Sequence, residues 1–234
     1  VNPGIDLQHS RQAIELAERY PSVYAAVGIH PTSSGDFHES TVDELRQLAS
    51  HPKVDAIGEI GLDYYWDKVE AVQQRYAFLT QQDLSAQLGL PVIIHNRDAN
   101  EDVASVLRTW SASTHVGQSP LAQRTFWGVL HAFSGNLAMA REAYDWHFAL
   151  SLGGPVTFQN ARELHALVPQ VRLDALMLET DAPYLTPHPF RGKRNEPAYV
   201  AHVAEKIAQI RGEAVETIAQ QSTENALRLF SQIA

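Results

Sequence analysis

The most informative stretch for the fold is the run Val54-Asp55-Ala56-Ile57-Gly58, a predicted strand that leads directly into Glu59. Its nearly continuous apolar run is typical of a strand that is buried on both faces, as the strands of a parallel sheet are. Further short apolar runs of the same character occupy residues 24–29, 91–94, 126–130, 148–152 and 176–178. We therefore expect a sheet of buried parallel strands.

Amphipathic segments separate these runs and predict helices between the strands. The predicted helices cover residues 11–19, 72–88, 198–211 and about 215–233, with another beginning near residue 40. Ser10 is the expected N-cap of the first helix, and Ser40 or Thr41 begins a capping box. Gly89 and Gly212 are expected to end two of the later helices.

The strand–helix alternation extends over the whole chain of 234 residues. This length fits a single domain, residues 1–234, because one α/β barrel routinely needs this many residues. The alternation predicts either a TIM-like (β/α)8-type barrel or an open doubly wound sheet.

Composition narrows the class of protein. The formal net charge of −9 argues against a broad basic surface that coats nucleic acid. The absence of cysteine excludes disulfides and thiolate metal sites, so any metal must be held by His, Asp or Glu. No apolar stretch approaches the ~20 residues of a transmembrane helix, and no signal peptide is evident. We expect a cytoplasmic protein without a membrane partner.

Chemically active side chains follow the predicted strands. The residues in question are His30, Glu59, His95, His131 and Asp181. The carboxyl ends of all strands of a parallel barrel meet on one face, so these side chains are expected to converge there. Carboxylates and imidazoles without thiols suit Zn²⁺, Mn²⁺ or Mg²⁺, and we expect one or two such ions. Asp63, in contrast, is interpreted as a helix cap.

A phosphate-containing substrate is indicated by charge. Two divalent ions opposite Glu59 and Asp181 leave a net positive charge to meet an anion. Arg191, Lys193 and Arg194 follow the last predicted strand, where barrels often bind phosphate, and Arg97 follows His95 by two residues. We expect these four cations to contact the substrate.

Six motifs together resemble the signature blocks of TatD-type metal-dependent DNases. They occur in the order of that family and cover nearly the whole chain. They are Gly28-Ile29-His30-Pro31, Gly58-Glu59-Ile60-Gly61-Leu62-Asp63-Tyr64, Val92-Ile93-Ile94-His95-Asn96-Arg97-Asp98-Ala99, Leu130-His131-Ala132-Phe133-Ser134-Gly135, Glu179-Thr180-Asp181-Ala182-Pro183-Tyr184-Leu185 and Arg194-Asn195-Glu196-Pro197.

The resemblance implies a TIM-like barrel that hydrolyses DNA phosphodiester bonds, often from the 3′ end, with Mg²⁺, Mn²⁺ or Zn²⁺. It implies that Glu59 bridges two metal positions and that His95 and His131 ligate one of them. Asp181 is implied as a ligand or general base, and His30 as a residue at the edge of the site near the substrate.

The chain departs from the family pattern at its beginning. Many members carry His-x-His on the first barrel strand, and this motif is not found here, where residues 1–6 resemble only the end of the second strand. We therefore expect the first strand and helix of the barrel to be missing from this chain.

Two alternatives remain open at this point. One is another metal-dependent ester or amide hydrolase on the same barrel, which often uses a carboxylated lysine to bridge its metals. No lysine follows a predicted strand, which disfavours this alternative. The four lysines are Lys53, Lys68, Lys193 and Lys206. The other alternative is a non-catalytic remnant with an incomplete metal site. The favoured prediction is a deoxyribonuclease with DNA as substrate, present as a monomer or weak homo-oligomer.

Overall fold

Seven short strands alternate with helices in the computed structural model, which describes residues 1–232. The strands are β1 Asn2–Pro3, β2 Ala25–Val27, β3 Val54–Asp63, β4 Val92–Arg97, β5 Gly128–Leu130, β6 Phe148–Leu152 and β7 Leu176–Leu178. Their order in the sheet is the order in the chain, from β1 to β7. An open doubly wound sheet reverses its strand order at a switch point, so the sequential order favours the predicted barrel topology.

Five α-helices in the described part of the chain correspond to the predicted amphipathic segments, and the four between β4 and β7 had no predicted bounds. In chain order the helices are α1 Leu7–Arg19, α2 Glu39–Ala49, α3 Ala71–Leu88, α4 Asn100–Ser111, α5 Thr114–Gly117, α6 Leu137–Asp145, α7 Arg162–Leu167, α8 Val200–Arg211 and α9 Val215–Leu229. Gly89 and Gly212 end α3 and α8 with φ of 68°, which confirms both predicted C-caps. None of the helices within residues 1–232 combines the length and the apolar character needed to span a membrane.

Some predicted helix boundaries are wrong for identifiable reasons. Asp6, not Ser10, is the N-cap of α1, and its carboxylate accepts the amide of His9 at 2.7 Å. Ser10 is buried inside the helix instead, and its Oγ accepts the amide of Gly28. Similarly, α2 is preceded by His38, whose amide donates to Thr41 Oγ1 at 3.3 Å, so both Ser40 and Thr41 are helical.

The later helices differ from prediction only at their ends. Helix α8 begins at Val200 because residues 197–199 form a separate 3₁₀ turn that starts at Pro197. Helix α9 ends at Leu229. The predicted end at Ile233 lies outside the described residues.

Within the described residues the chain forms two compact units, residues 1–129 with 227–232 and residues 130–226. In the first unit β1, β2, β3 and β4 pair in parallel, each with the next. In the second unit β6 pairs in parallel with β7. The assignment of residues 1–234 to one domain stays a prediction.

Strand β3 is longer than predicted and determines the geometry of the first unit. It was expected over residues 54–58, yet it continues to Asp63 and places Glu59 inside the strand. Its register against β4 shifts between Ile57 and Ile60, after which Gly61 pairs with His95 and Asp63 with Arg97. Irregularities of this kind commonly redirect side chains beside functional sites.

Candidate metal centre

Three side chains of the first unit form a group that suits a metal ion. One ligand atom from each of His30, Glu59 and His95 lies within 4.8 Å of the others. Glu59 Oε1 is 2.7 Å from Nδ1 of His95 and 3.8 Å from Nε2 of His30. Each side chain is only 12–15% exposed, so the group is shielded and still reachable from solvent.

Backbone contacts hold this group in place. The segment after β1 accepts two amides, that of Glu59 at Gly4 O and that of His30 at Ile5 O. Gln81 on α3 pairs with the backbone of Ile29, accepting its N–H at 2.7 Å and donating to its C=O at 3.1 Å. Because Ile29 directly precedes His30, this pairing fixes the chain at the point where the imidazole emerges.

The imidazole of His95 has a second carboxylate on its other side. Nε2 of His95 lies 3.0 Å from Oδ2 of Asp63, which is 1% exposed. Burial raises the pKa of Asp63, but hydrogen bonds from His95 and from the amides of Trp66 and Tyr65 outweigh it, so the pKa lies below its ordinary value. Asp63 is therefore a carboxylate that orients His95.

This role corrects the interpretation of Asp63 as a helix cap. Its Oδ1 accepts the amides of Tyr65 and Trp66 at 3.0 Å each, both in the loop after β3 rather than in a helix. The apolar pattern of the sequence did not indicate this role, because it predicts a strand that stops at residue 58. The motif Gly58–Tyr64 contained the signal, since Asp63 follows Glu59 by four positions on one continuous strand.

The donor set fits a divalent ion. One carboxylate and two imidazoles are ligands that Zn²⁺ and Mn²⁺ accept. Ligand bonds of about 2.1 Å set neighbouring tetrahedral donors about 3.4 Å apart. The observed separations of 2.7 Å and 3.8 Å lie on either side of that value, so small side-chain rotations suffice.

In the second unit, His131 directly follows β5 as predicted. Its Nδ1 lies 3.7 Å from Oε1 of Glu179, and the same carboxylate oxygen accepts the amide of Ala132 at 2.7 Å. Glu179 directly follows β7, and no role was predicted for it from the sequence. The pair is a second carboxylate–imidazole arrangement, with side chains 15% and 18% exposed.

Asp181 is held by its surroundings in the loop after β7. Its own φ is 57°, a left-handed conformation that Asp tolerates better than most residues. Its carbonyl accepts the amide of Tyr184 at 2.8 Å. Asn195, 2% exposed, donates to the carbonyls of Thr180 and Tyr184 at 2.7 Å and 2.6 Å. Asn195 is thus a positioning residue that sequence reasoning included only as part of a motif.

The predicted phosphate contacts are exposed cations in both units. Arg97 ends β4 in the first unit. In the second unit Arg191, Lys193 and Arg194 are all exposed, and the guanidinium of Arg191 lies 4.1 Å from the ring centroid of Phe158. Arg191 and Lys193 border an open cavity of about 320 Å³. Their contact with substrate stays a prediction.

The residues predicted to form one site fall in both units. The structure brings His30, Glu59 and His95 together in the first unit. It places His131 beside Glu179, and Asp181 in a constrained loop, in the second unit. The metal-ligand roles of Glu59, His95, His131 and Asp181 stay predictions. His30 was predicted as a substrate contact, and the structure groups it with Glu59 and His95 instead.

Comparison with known proteins assigns the chain to a family. A family model described as TatD related DNase matches residues 1–231. The "uncharacterized metal-dependent hydrolase YabD" of Bacillus subtilis is 46% identical over 227 residues, which is 97% of this chain and 85% of that protein. A protein of Erwinia amylovora named "3'-5' ssDNA/RNA exonuclease TatD" is 34% identical over 97% of this chain and 86% of its own length.

A solved structure supports the same assignment. The crystal structure of YJJV, described as a TatD homolog from Escherichia coli, has a TM-score of 0.87 and 29% sequence identity, covering 98% of this chain and 85% of its own. This likeness confirms the predicted TIM-like barrel fold class. The family match over nearly the whole chain and the relative at 46% identity lead to one conclusion: this chain belongs to the TatD-related DNase family of metal-dependent hydrolases.

Proposed function

We propose that this protein is a metal-dependent deoxyribonuclease that removes nucleotides from the 3′ end of single-stranded DNA. The observation that carries the proposal is the group formed by His30, Glu59 and His95. The Erwinia relative, whose name describes a 3′-5′ exonuclease on single-stranded DNA and RNA, supports the direction and the substrate.

The roles of the residues follow from their chemistry. Glu59, His95 and His30 are proposed to hold a divalent ion, with Asp63 orienting the imidazole of His95. A divalent ion supplies charge stabilisation for a phosphate and lowers the pKa of a water molecule that attacks phosphorus. His131 and Asp181 are proposed as further ligands, with Asp181 also accepting the proton of the attacking water. Arg97, Arg191, Lys193 and Arg194 are proposed to bind phosphates.

The alternative of a hydrolase with a bridging carboxylated lysine has less support. Of the two lysines in the first unit, Lys53 donates to the carbonyl of Pro21 at 2.6 Å. The other, Lys68, is exposed beside Trp66. Glu59 lies beside His30 and His95, which supports it as the carboxylate that takes the bridging position.

The test uses single-stranded DNA with a fluorophore on its 5′ end, incubated with Mn²⁺, Mg²⁺ or Zn²⁺. Removal from the 3′ end yields a ladder of progressively shorter labelled products, whereas removal from the 5′ end releases the label at once. We expect the ladder for the wild-type chain. Glu59→Gln should slow it by about 100-fold or more, because metal-assisted charge stabilisation is lost.

A matched control is Glu70→Gln, since Glu70 is an exposed carboxylate of the same unit at the start of α3. It should digest DNA at the wild-type rate. Equal rates for Glu59→Gln and Glu70→Gln, or the absence of metal-dependent digestion by the wild-type chain, contradict the proposal.

A further inference from the structure

The loop that follows β3 begins with three exposed aromatic side chains, of which the second and third are the most exposed. Tyr65 is 53% exposed and Trp66 is 48% exposed. Their ring centroids are 4.9 Å apart with an interplanar angle of 88°, so the two rings present differently oriented surfaces. Adjacent exposed aromatics are unfavourable in water, and such a patch commonly marks a binding surface.

A guanidinium group lies against these rings. The Arg97 guanidinium carbon is 3.9 Å from the ring centroid of Tyr65 and 5.7 Å from that of Trp66. The Lys68 ammonium is 5.7 Å from the Trp66 centroid. Aromatic faces combined with cations are the combination that binds unpaired bases together with their phosphates.

The carboxylate of Asp63 connects the loop that carries Tyr65 and Trp66 (the aromatic loop) to the group of His30, Glu59 and His95 (the metal group). Asp63 Oδ1 accepts the amides of Tyr65 and Trp66, while its Oδ2 contacts Nε2 of His95. Arg97 follows His95 by two residues on β4, so both side chains point to the same face of the strand, about 7 Å apart along it. A ligand bound to the aromatic loop is therefore held beside the metal group.

We propose that Tyr65, Trp66 and Arg97 form a binding surface for an unpaired base of a single-stranded nucleic acid. This inference rests on the proposed function and adds the residues that select an unpaired base. The base stacks on the aromatic rings and the guanidinium of Arg97 contacts the neighbouring phosphate. A paired duplex keeps its base faces stacked internally and offers this surface only its edges and backbone.

The experiment measures binding separately from hydrolysis. Fluorescence anisotropy of a labelled oligothymidylate is recorded in EDTA, with wild type, Tyr65→Ala, Trp66→Ala and the double variant. Each single substitution should raise Kd by about tenfold, since stacking on one ring contributes that order of affinity. Tyr20→Ala is the matched control, because Tyr20 is 50% exposed elsewhere in the same unit, and its Kd should equal that of wild type.

An oligomer of the same length with abasic sites separates stacking from phosphate binding. It should bind wild type as weakly as the double variant binds oligothymidylate, and the double variant should bind both oligomers alike. Arg97→Gln should weaken both oligomers, because both retain the phosphates. With Mn²⁺ present, KM for oligothymidylate should rise in the aromatic variants while kcat stays near the wild-type value.

The outcomes distinguish the two proposals. Unchanged Kd in both aromatic variants, or no oligothymidylate binding by wild type, overturns the stacking surface and leaves a protein partner as the occupant of the loop. If the aromatic substitutions weaken binding but the wild-type chain releases no nucleotide, the results support the stacking surface and contradict the proposed nuclease activity.

Discussion

Nε2 of His95 lies 3.0 Å from Oδ2 of Asp63, on the side of the imidazole opposite the atom that faces Glu59. With Nε2 donating its proton to Asp63, Nδ1 would keep the lone pair that binds a metal ion held together with Glu59. A carboxylate behind a ligating histidine both fixes the tautomer and raises the basicity of the ring. The metal group therefore depends on Asp63 as well as on its three members.

Asp63→Asn tests this dependence. The Asn carbonyl can still accept the amides of Tyr65 and Trp66, but the variant loses the charge behind His95. We expect affinity for Zn²⁺ or Mn²⁺ to fall by about 10- to 100-fold. Competition with a chromophoric chelator measures it without relying on activity. Asp67→Asn, an exposed aspartate of the same loop, is the control, and equal affinities of the two variants contradict the prediction.

Two adjacent buried glutamines of α3 form a natural comparison. Gln81→Leu removes the partner of Ile29 N–H and C=O and leaves two buried backbone groups unpaired. We expect the free energy of unfolding to fall by about 2–4 kcal/mol. Urea denaturation followed by circular dichroism measures the loss.

Gln82→Leu supplies the matched control. Gln82 is 0% exposed, and within residues 1–232 neither amide atom of its side chain has a hydrogen-bond partner. Replacing an unpaired buried amide with an apolar group of similar volume should leave stability unchanged or raise it by about 1 kcal/mol. A loss as large as that of Gln81→Leu would show that this account of the two residues is wrong.

Gly61→Ala tests the close approach of β3 to β4. Gly61 has a φ of 146°, and a Cβ atom there would lie 1.9 Å from the carbonyl oxygen of His95. The strand must move, so we expect a stability loss of about 3 kcal/mol or more together with weaker metal binding. Gly117→Ala, where no atom lies within 4 Å of the added Cβ, should change stability by less than about 1 kcal/mol. Similar thermal unfolding of both variants contradicts the prediction.

The N-cap of α1 predicts a pH-dependent stability effect. Partial burial raises the pKa of Asp6, whereas hydrogen bonds from the amide and ring of His9 lower it by more, so the folded pKa lies below 3.8. A depressed pKa means that the stabilisation is fully present above the unfolded value and is lost as the pH falls through the folded one. Asp6→Ala should cost about 1 kcal/mol at neutral pH.

The difference between wild type and Asp6→Ala should narrow as the pH falls from about 5 towards 3. Denaturation curves across this range measure it. Asp43→Ala, on the exposed side of α2, provides the comparison. A difference for Asp6→Ala that stays constant with pH contradicts the assignment of the cap to the ionised carboxylate.

The sequence by itself was sufficient to predict the alternation of strands and helices and the residue types that can ligate a metal. Buried parallel strands are continuously apolar, so β4, β6 and β7 were recognisable from a few residues each. Gly89 and Gly212 were recognisable as helix ends because a left-handed residue is required there. The lack of cysteine limited any metal ligands to imidazoles and carboxylates.

Only the tertiary structure decided which of these groups meet. Glu59 and His95 are 36 residues apart, and the parallel pairing of β3 with β4 brings them within 2.7 Å. Asp63 could not be assigned from periodicity, because its role depends on the shift in register that places it beside His95. Asp6 is the N-cap of α1, because the hydroxyl of Ser10 is buried and accepts the amide of Gly28 instead. Apolar patterns are local properties of a chain, whereas strand register and buried polar contacts arise only when distant segments pack together.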